Sequence, residues 1–176
     1  MRNGNVIINN IFNTHGGSVD INTNTGVNTV TNNFLTANGN PGFANTTATD
    51  PTNALLPDLS VSASSPVVGA GIPLTTANGA GSNTMTLIVN DAMFFQDGTW
   101  GAAMTHGVTL FPDWISIGTT SNPVQIASTN YSTNTITLAV PMTWVSGSSI
   151  WLYKNSSGQR VLYGTASDIG AFQVVR

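Results

Sequence analysis

The residues best suited to chemistry cluster late in the chain. Phe94, Phe95, Trp100, Trp114, Tyr131, Trp144, Trp151 and Tyr153 all fall in one stretch that is rich in Asn, Thr and Ser. Flat rings stack on sugar faces, while Asn, Gln and Asp side chains bond the hydroxyls. The combination reads as a carbohydrate-binding surface. Trp114, Trp151 and Phe94 are expected in the core. Trp100, beside glycine in a loop, and Trp144, after a strand end, are the expected exposed rings, with Tyr131 and Gln96 completing the binding set.

"NDAMFFQDG" sets Asp91 and Asp97 near each other with Asn90 and Gln96 adjacent. Hard oxygen ligands of this kind suit Ca²⁺, although the spacing is not that of an EF-hand loop. The plainer reading is a pair of turn aspartates that bond the local backbone. No other cofactor is expected. A glycoside hydrolase needs carboxylates converging on one face. Asp20, in "SVDIN", is the one acid on an expected strand. Its alternation with Val19 and Ile21 points it outward, as a solvated residue; Asp50 and Asp58 lie in turn-rich sequence. His15 in "NTHGG" and His106 in "MTHG" read as loop histidines. Neither a Gly-x-Ser-x-Gly elbow nor a phosphate-loop lysine occurs.

The elements that must position these residues follow from composition. The chain has 176 residues, 40% of them hydrophobic, enough to bury a core. Only 6% are charged, against roughly 25% in an average globular protein. Every acid is aspartate, and Lys154 is the single lysine. Without Glu and Lys, exposed amphipathic helices are disfavoured, and the abundant Asn, Thr, Ser and Gly suit turns and polar strand faces. The expected class is all-β.

Arg2, Lys154, Arg160 and Arg176 are scattered in a chain of net charge −3, which argues against a nucleic-acid partner. No apolar run approaches the roughly 20 residues of a helical membrane span, so no membrane partner is expected. Met1 opens a polar, Asn-rich segment, so no signal peptide is expected there. The low charge and the single lysine fit an extracellular or cell-surface protein.

Three segments follow one another. In the first, Ile7-Ile8-Asn9-Asn10-Ile11-Phe12 aligns with Val30-Thr31-Asn32-Asn33-Phe34-Leu35. A period in the low twenties with short strands suggests stacked coils of a parallel β-helix. Asn tolerates left-handed backbone angles, so one Asn of each pair is expected to turn the chain. Asn9 with Asn32, or Asn10 with Asn33, would form a side-chain ladder between coils. The second segment carries "NGNPG" and "DPTN", both turn clusters, with Leu59 and Val61 as one more short strand. In the third, "TMTLIVND", "DWISIG", "PVQIAS", "NTITLAV" and "SSIWLYK" alternate as strands, and "RVLYG" is expected to add another. That spacing predicts a small antiparallel barrel or sandwich.

"SSPVVGAG" and "DIGAFQ" carry a resemblance. With Pro57-Asp58-Leu59, Ser65-Pro66, Ala70-Gly71 and Asp168-Ile169-Gly170-Ala171-Phe172, the chain resembles the C-terminal part of secreted right-handed parallel β-helix proteins. These belong to the pectate-lyase-like superfamily, choice-of-anchor Q type. Gly69 stands where the family usually has Asp, and Gln173 where it usually has Glu, so an acidic role at either position is absent. The resemblance implies β-helix coils over 1–74 and a closing strand within 165–176, with the antiparallel segment 75–164 inserted between them. Lyases of this superfamily use a basic residue, commonly with Ca²⁺. No Lys or Arg lies between Arg2 and Lys154, which argues against that chemistry in this stretch.

The leading functional expectation is therefore a non-catalytic, extracellular, polysaccharide-binding β-helix module. One alternative is the C-terminal fragment of a polysaccharide lyase or glycoside hydrolase. The other is a structural subunit of an extracellular assembly, self-associating through β-helix ends.

Overall fold

The computed structural model describes residues 4–12, 28–44, 58–100, 109–171 and 173–175. The chain divides into two compact units, Met1–Ile72 with Ser167–Arg176, and Pro73–Ala166.

In the first unit, β1 (Val6–Ile8) and β2 (Thr29–Thr31) pair in parallel, with Ile7 opposite Val30. A parallel bridge between Ile11 and Phe34 continues the match. Between strand and bridge, Asn9 and Asn32 take left-handed φ values of 57° and 50°. Asn reaches this region because its short side chain bonds locally. Here Asn32 Nδ2 donates to Asn9 Oδ1 at 2.8 Å, and Asn10 Nδ2 donates to Asn33 Oδ1 at 3.2 Å. Asn9 Nδ2 also reaches Ile72 O, and Asn32 Nδ2 reaches Ala70 O.

This arrangement is not the expected right-handed parallel β-helix. The parallel sheet of the described residues has two strands of three residues each. The next expected strand does not add to it: Val61 bridges Phe43 in antiparallel fashion. A β-helix requires each coil to bury the face of its neighbour. Here Val30 is 38% exposed, and all of β1 is only half-buried. No closing strand forms over the described residues 167–171 and 173–175. Instead Ile169 N–H bonds Val67 O, and Gly170 N–H bonds Asn9 O. The Asp168 carboxylate, buried, accepts from the N–H groups of Gly69 and Val174, and Gln173 Oε1 accepts from Asp168 N–H.

The second unit holds β3 (Thr75–Thr76), β4 (Gly81–Ile88), β5 (Trp114–Ile117), β6 (Pro123–Asn130), β7 (Thr135–Trp144) and β8 (Ser149–Lys154). They form one antiparallel sheet in the order β3-β8-β5-β6-β7-β4. It curls into a half-barrel. An Ala77–Val89 bridge, just beyond β3 and β4, links its two edges. The inward residues of alternating strands build the core: Leu87, Ile115, Ile117, Val124, Ile126, Ile136, Leu138 and Ile150 are all buried. Burial of a side chain of this size contributes roughly 1.5–3 kcal/mol. Met85, which strict alternation would put on the buried face with Leu87 and Val89, is 41% exposed. The pairing of β4 with β7 shifts register between Thr84 and Thr86, and such irregularities reverse the alternation.

Candidate functional site

The stretch from Phe94 to Trp100 forms a loop fastened to the sheet by Asp97. One carboxylate oxygen accepts from the Thr99 N–H and hydroxyl, the other from Thr129 N–H of β6 at 2.8 Å. Burial pushes the Asp97 carboxyl upward. The hydrogen bonds from Thr99 and Thr129 outweigh burial and hold its pKa below the ordinary carboxylate value. Gln96 clasps the base of the loop. Its Nε2 donates to Phe111 O and to Asp113 Oδ1, and its Oε1 accepts from Gly98 N–H. Asp113 is buried, and desolvation pushes its carboxyl up against the opposing pull of Gln96.

On this loop Trp100 is 47% exposed. Its indole N–H donates to the Tyr131 hydroxyl at 3.1 Å, and that hydroxyl donates to Phe95 O at 2.9 Å. The rings meet edge-on, with centroids 6.2 Å apart and planes at 75°. Tyr131 itself packs against the core. Phe111, which accepts from Gln96 through its carbonyl, is 51% exposed. The loop thus presents an indole ring fixed in orientation from beneath, with its N–H already engaged.

The expected binding residues separate into two groups. Trp100 and Tyr131 come together. Gln96 lies in the same loop, but its amide is spent on the backbone of Gly98 and Phe111 and on Asp113. Trp144, expected exposed, is buried. It stands opposite Gly81, where a Cβ would overlap the indole ring, and its N–H donates to Gly79 O. A glycine on the partner strand leaves a slot that the ring fills.

Of the expected Ca²⁺ pair, Asp91 accepts from Met93 N–H, and Asp97 from Thr99 and Thr129. Each bonds the N–H two residues on, and Asp97 adds the tie to β6. Among the described residues no three acidic, His or Cys side chains group to hold a metal. His15, His106, Asp20 and Asp50 lie outside the described residues. Asp58 accepts from Ser60 N–H in a local turn.

Two residues treated as scattered are neighbours. Lys154 and Arg160 are directly opposed across an antiparallel bridge, joined by a turn at Asn155–Gly158. "KNSSGQR" carries that hairpin signal in its Asn, Ser and Gly.

Comparison with known protein families, curated proteins and solved structures finds no match to this chain.

Proposed function

We propose that the unit 73–166 is a carbohydrate-binding module that engages glycans through the loop carrying Trp100. The observation that supports this reading is the half-exposed indole of Trp100, held by Tyr131 on a loop that Asp97 fastens to the sheet. A ring fixed before binding loses little conformational freedom on stacking against a sugar. Its apolar face supplies contact area for a sugar ring.

A glycan array covering plant, algal and bacterial polysaccharides tests the reading. Trp100→Ala is expected to weaken binding at least about tenfold, as removal of a central aromatic anchor does. Tyr131→Phe keeps the ring but removes the hydroxyl that fixes the indole, and is expected to weaken it less. Absence of binding by the intact chain across the array would sink the reading.

A further inference from the structure

The outer face of the sheet carries a row that breaks a pairing rule. Trp114 is paired with Gln125 on β6 and with Lys154 on β8, and Lys154 is bridged in turn to Arg160. Directly opposed residues share a face, so Gln125, Trp114, Lys154 and Arg160 form one line across four adjacent segments. Its last two members are like charges placed directly opposite, an arrangement that destabilises a ladder. Among the described residues they are the only Lys and Arg, in a chain of net charge −3.

Among the described residues neither cation forms an ion pair, and aromatic rings surround both. Lys154 Nζ stands 4.8 Å from the Trp114 ring centroid. The Arg160 guanidinium lies 5.1 Å from the Tyr153 ring and 4.7 Å from that of Tyr163. Its Nε donates to Leu162 O, which fixes the plane of the fork. Arg160 is exposed, and Lys154, Tyr153, Tyr163 and Trp114 are half-buried, so solvent reaches the group. Cation–π contacts hold each charge in place but do not neutralise it. An anion lying between the two cations would relieve their repulsion and accept charge-assisted hydrogen bonds from both.

We propose that Lys154 and Arg160, framed by Trp114, Tyr153 and Tyr163, form a binding site for the anionic group of an acidic saccharide. The carboxylate of a hexuronate unit, or a sulfate ester, would bridge the two cations, with the tyrosine rings and Gln125 facing the sugar. The choice of a saccharide as carrier rests on the carbohydrate-binding reading above; the anion site itself does not.

Affinity electrophoresis and calorimetry on the full chain test this, with oligogalacturonides, their methyl esters, a sulfated oligosaccharide, inorganic phosphate and poly-aspartate as probes. Binding of the oligogalacturonide or the sulfated oligosaccharide is expected, and whichever binds identifies the group. It should weaken at least about tenfold in Lys154→Gln/Arg160→Gln and less in Arg160→Lys, which keeps the charge but loses the fork. Unchanged near-ultraviolet circular dichroism confirms that the variants are folded. Methyl esters should not bind at this site. Equal affinity for phosphate or poly-aspartate would overturn the saccharide assignment. Unaltered binding in the double variant, or no binding of either acidic saccharide, would overturn the site. In Trp100→Ala the acidic binding should persist. Its loss there would assign the acidic ligand to the Trp100 loop instead and overturn the proposal, whereas a neutral glycan lost only in Trp100→Ala would leave it standing.

Discussion

In the unit 73–166, Leu87, Ile115, Ile136, Leu138 and Ile150 close a continuous apolar core inside a curled sheet. In the other unit, the long-range contacts among the described residues include backbone hydrogen bonds supplemented by side-chain amides and one buried carboxylate. Asn9 and Asn32 bond each other and the carbonyls of Ile72 and Ala70, and Asp168 gathers Gly69 and Val174. The contrast lies between a non-directional force and a directional one. Apolar burial tolerates shifts of register such as those in β4, because contact area survives a small displacement. A hydrogen-bonded amide tolerates none, because it weakens steeply with angle. The unit built on amides therefore depends on backbone geometry that few residues supply, namely left-handed Asn at positions 9 and 32. The same division governs where binding surfaces can be mounted. The sheet carries Trp100 on a loop tied to β6 by Asp97, and the Lys154–Arg160 pair on a turn that follows β8.

The sharpest blow to the apolar side of this comparison is Ile136→Ala. Ile136 is fully buried at the heart of the core, and truncation there leaves a cavity. The expected loss is about 2–5 kcal/mol, read by denaturant unfolding followed by tryptophan fluorescence. All four tryptophans, Trp100, Trp114, Trp144 and Trp151, belong to this unit, so the signal reports on it alone. A loss under about 1 kcal/mol would mean that the core is not what holds the sheet.

Next in size is Asn32, on the directional side. Asn32→Ala removes donors to Asn9 Oδ1 and Ala70 O and forces a Cβ-bearing residue without a local bonding group to keep φ near 50°. The expected cost is about 2–3 kcal/mol, summing the lost hydrogen bonds and the backbone penalty. Asn32→Gly accepts the backbone angle and loses only the bonds, so it should cost about half as much. Amide hydrogen exchange at Ile72 and Phe34 reads both, because this unit contains no tryptophan. Equal effects of the two variants would show that the amide bonds, not the backbone angle, carry the cost.

These elements were unequally legible in the sequence. The alternation of Val124 with Ile126 and of Ile136 with Leu138 placed β6 and β7, because a half-buried strand imposes period two on its residues. The paired asparagines pointed to a parallel match of the two segments, and Asn9 and Asn32 do face each other across it. Extending that match to a β-helix failed because a repeat records register between neighbours, not the number of coils. Leu59 and Val61 read as a further strand of the stack, yet Val61 finds Phe43 in the opposite direction. Trp144 was misjudged because its burial depends on Gly81, a partner from a distant strand that local pattern cannot reveal. Lys154 and Arg160 were passed over because counting charges along the chain ignores the turn that brings them together.

The smallest expected effect concerns the join between loop and sheet, where two carboxyls titrate in opposite senses. Asp97 is held below its usual value near 3.8, so the stability it lends is present above that pH and is lost as pH falls through its lowered pKa. Asp113 is raised above 3.8, so its contribution is fully present below that value and is lost as pH rises through its raised pKa. The loop bearing Trp100 is thus fastened by two groups whose windows lie on either side of one pH. Asp97→Asn should flatten the acid limb of the Trp100 fluorescence titration, because the substituted amide no longer changes charge there. Asp113→Asn should leave that limb intact and remove the opposing slope above it. The Asp97 effect is modest because solvent screens that carboxylate. If Asp97→Asn left the acid limb unchanged, the tie from Asp97 to Thr129 would not be what orients Trp100, and the rigidity argued for its ring would have to come from Tyr131 alone.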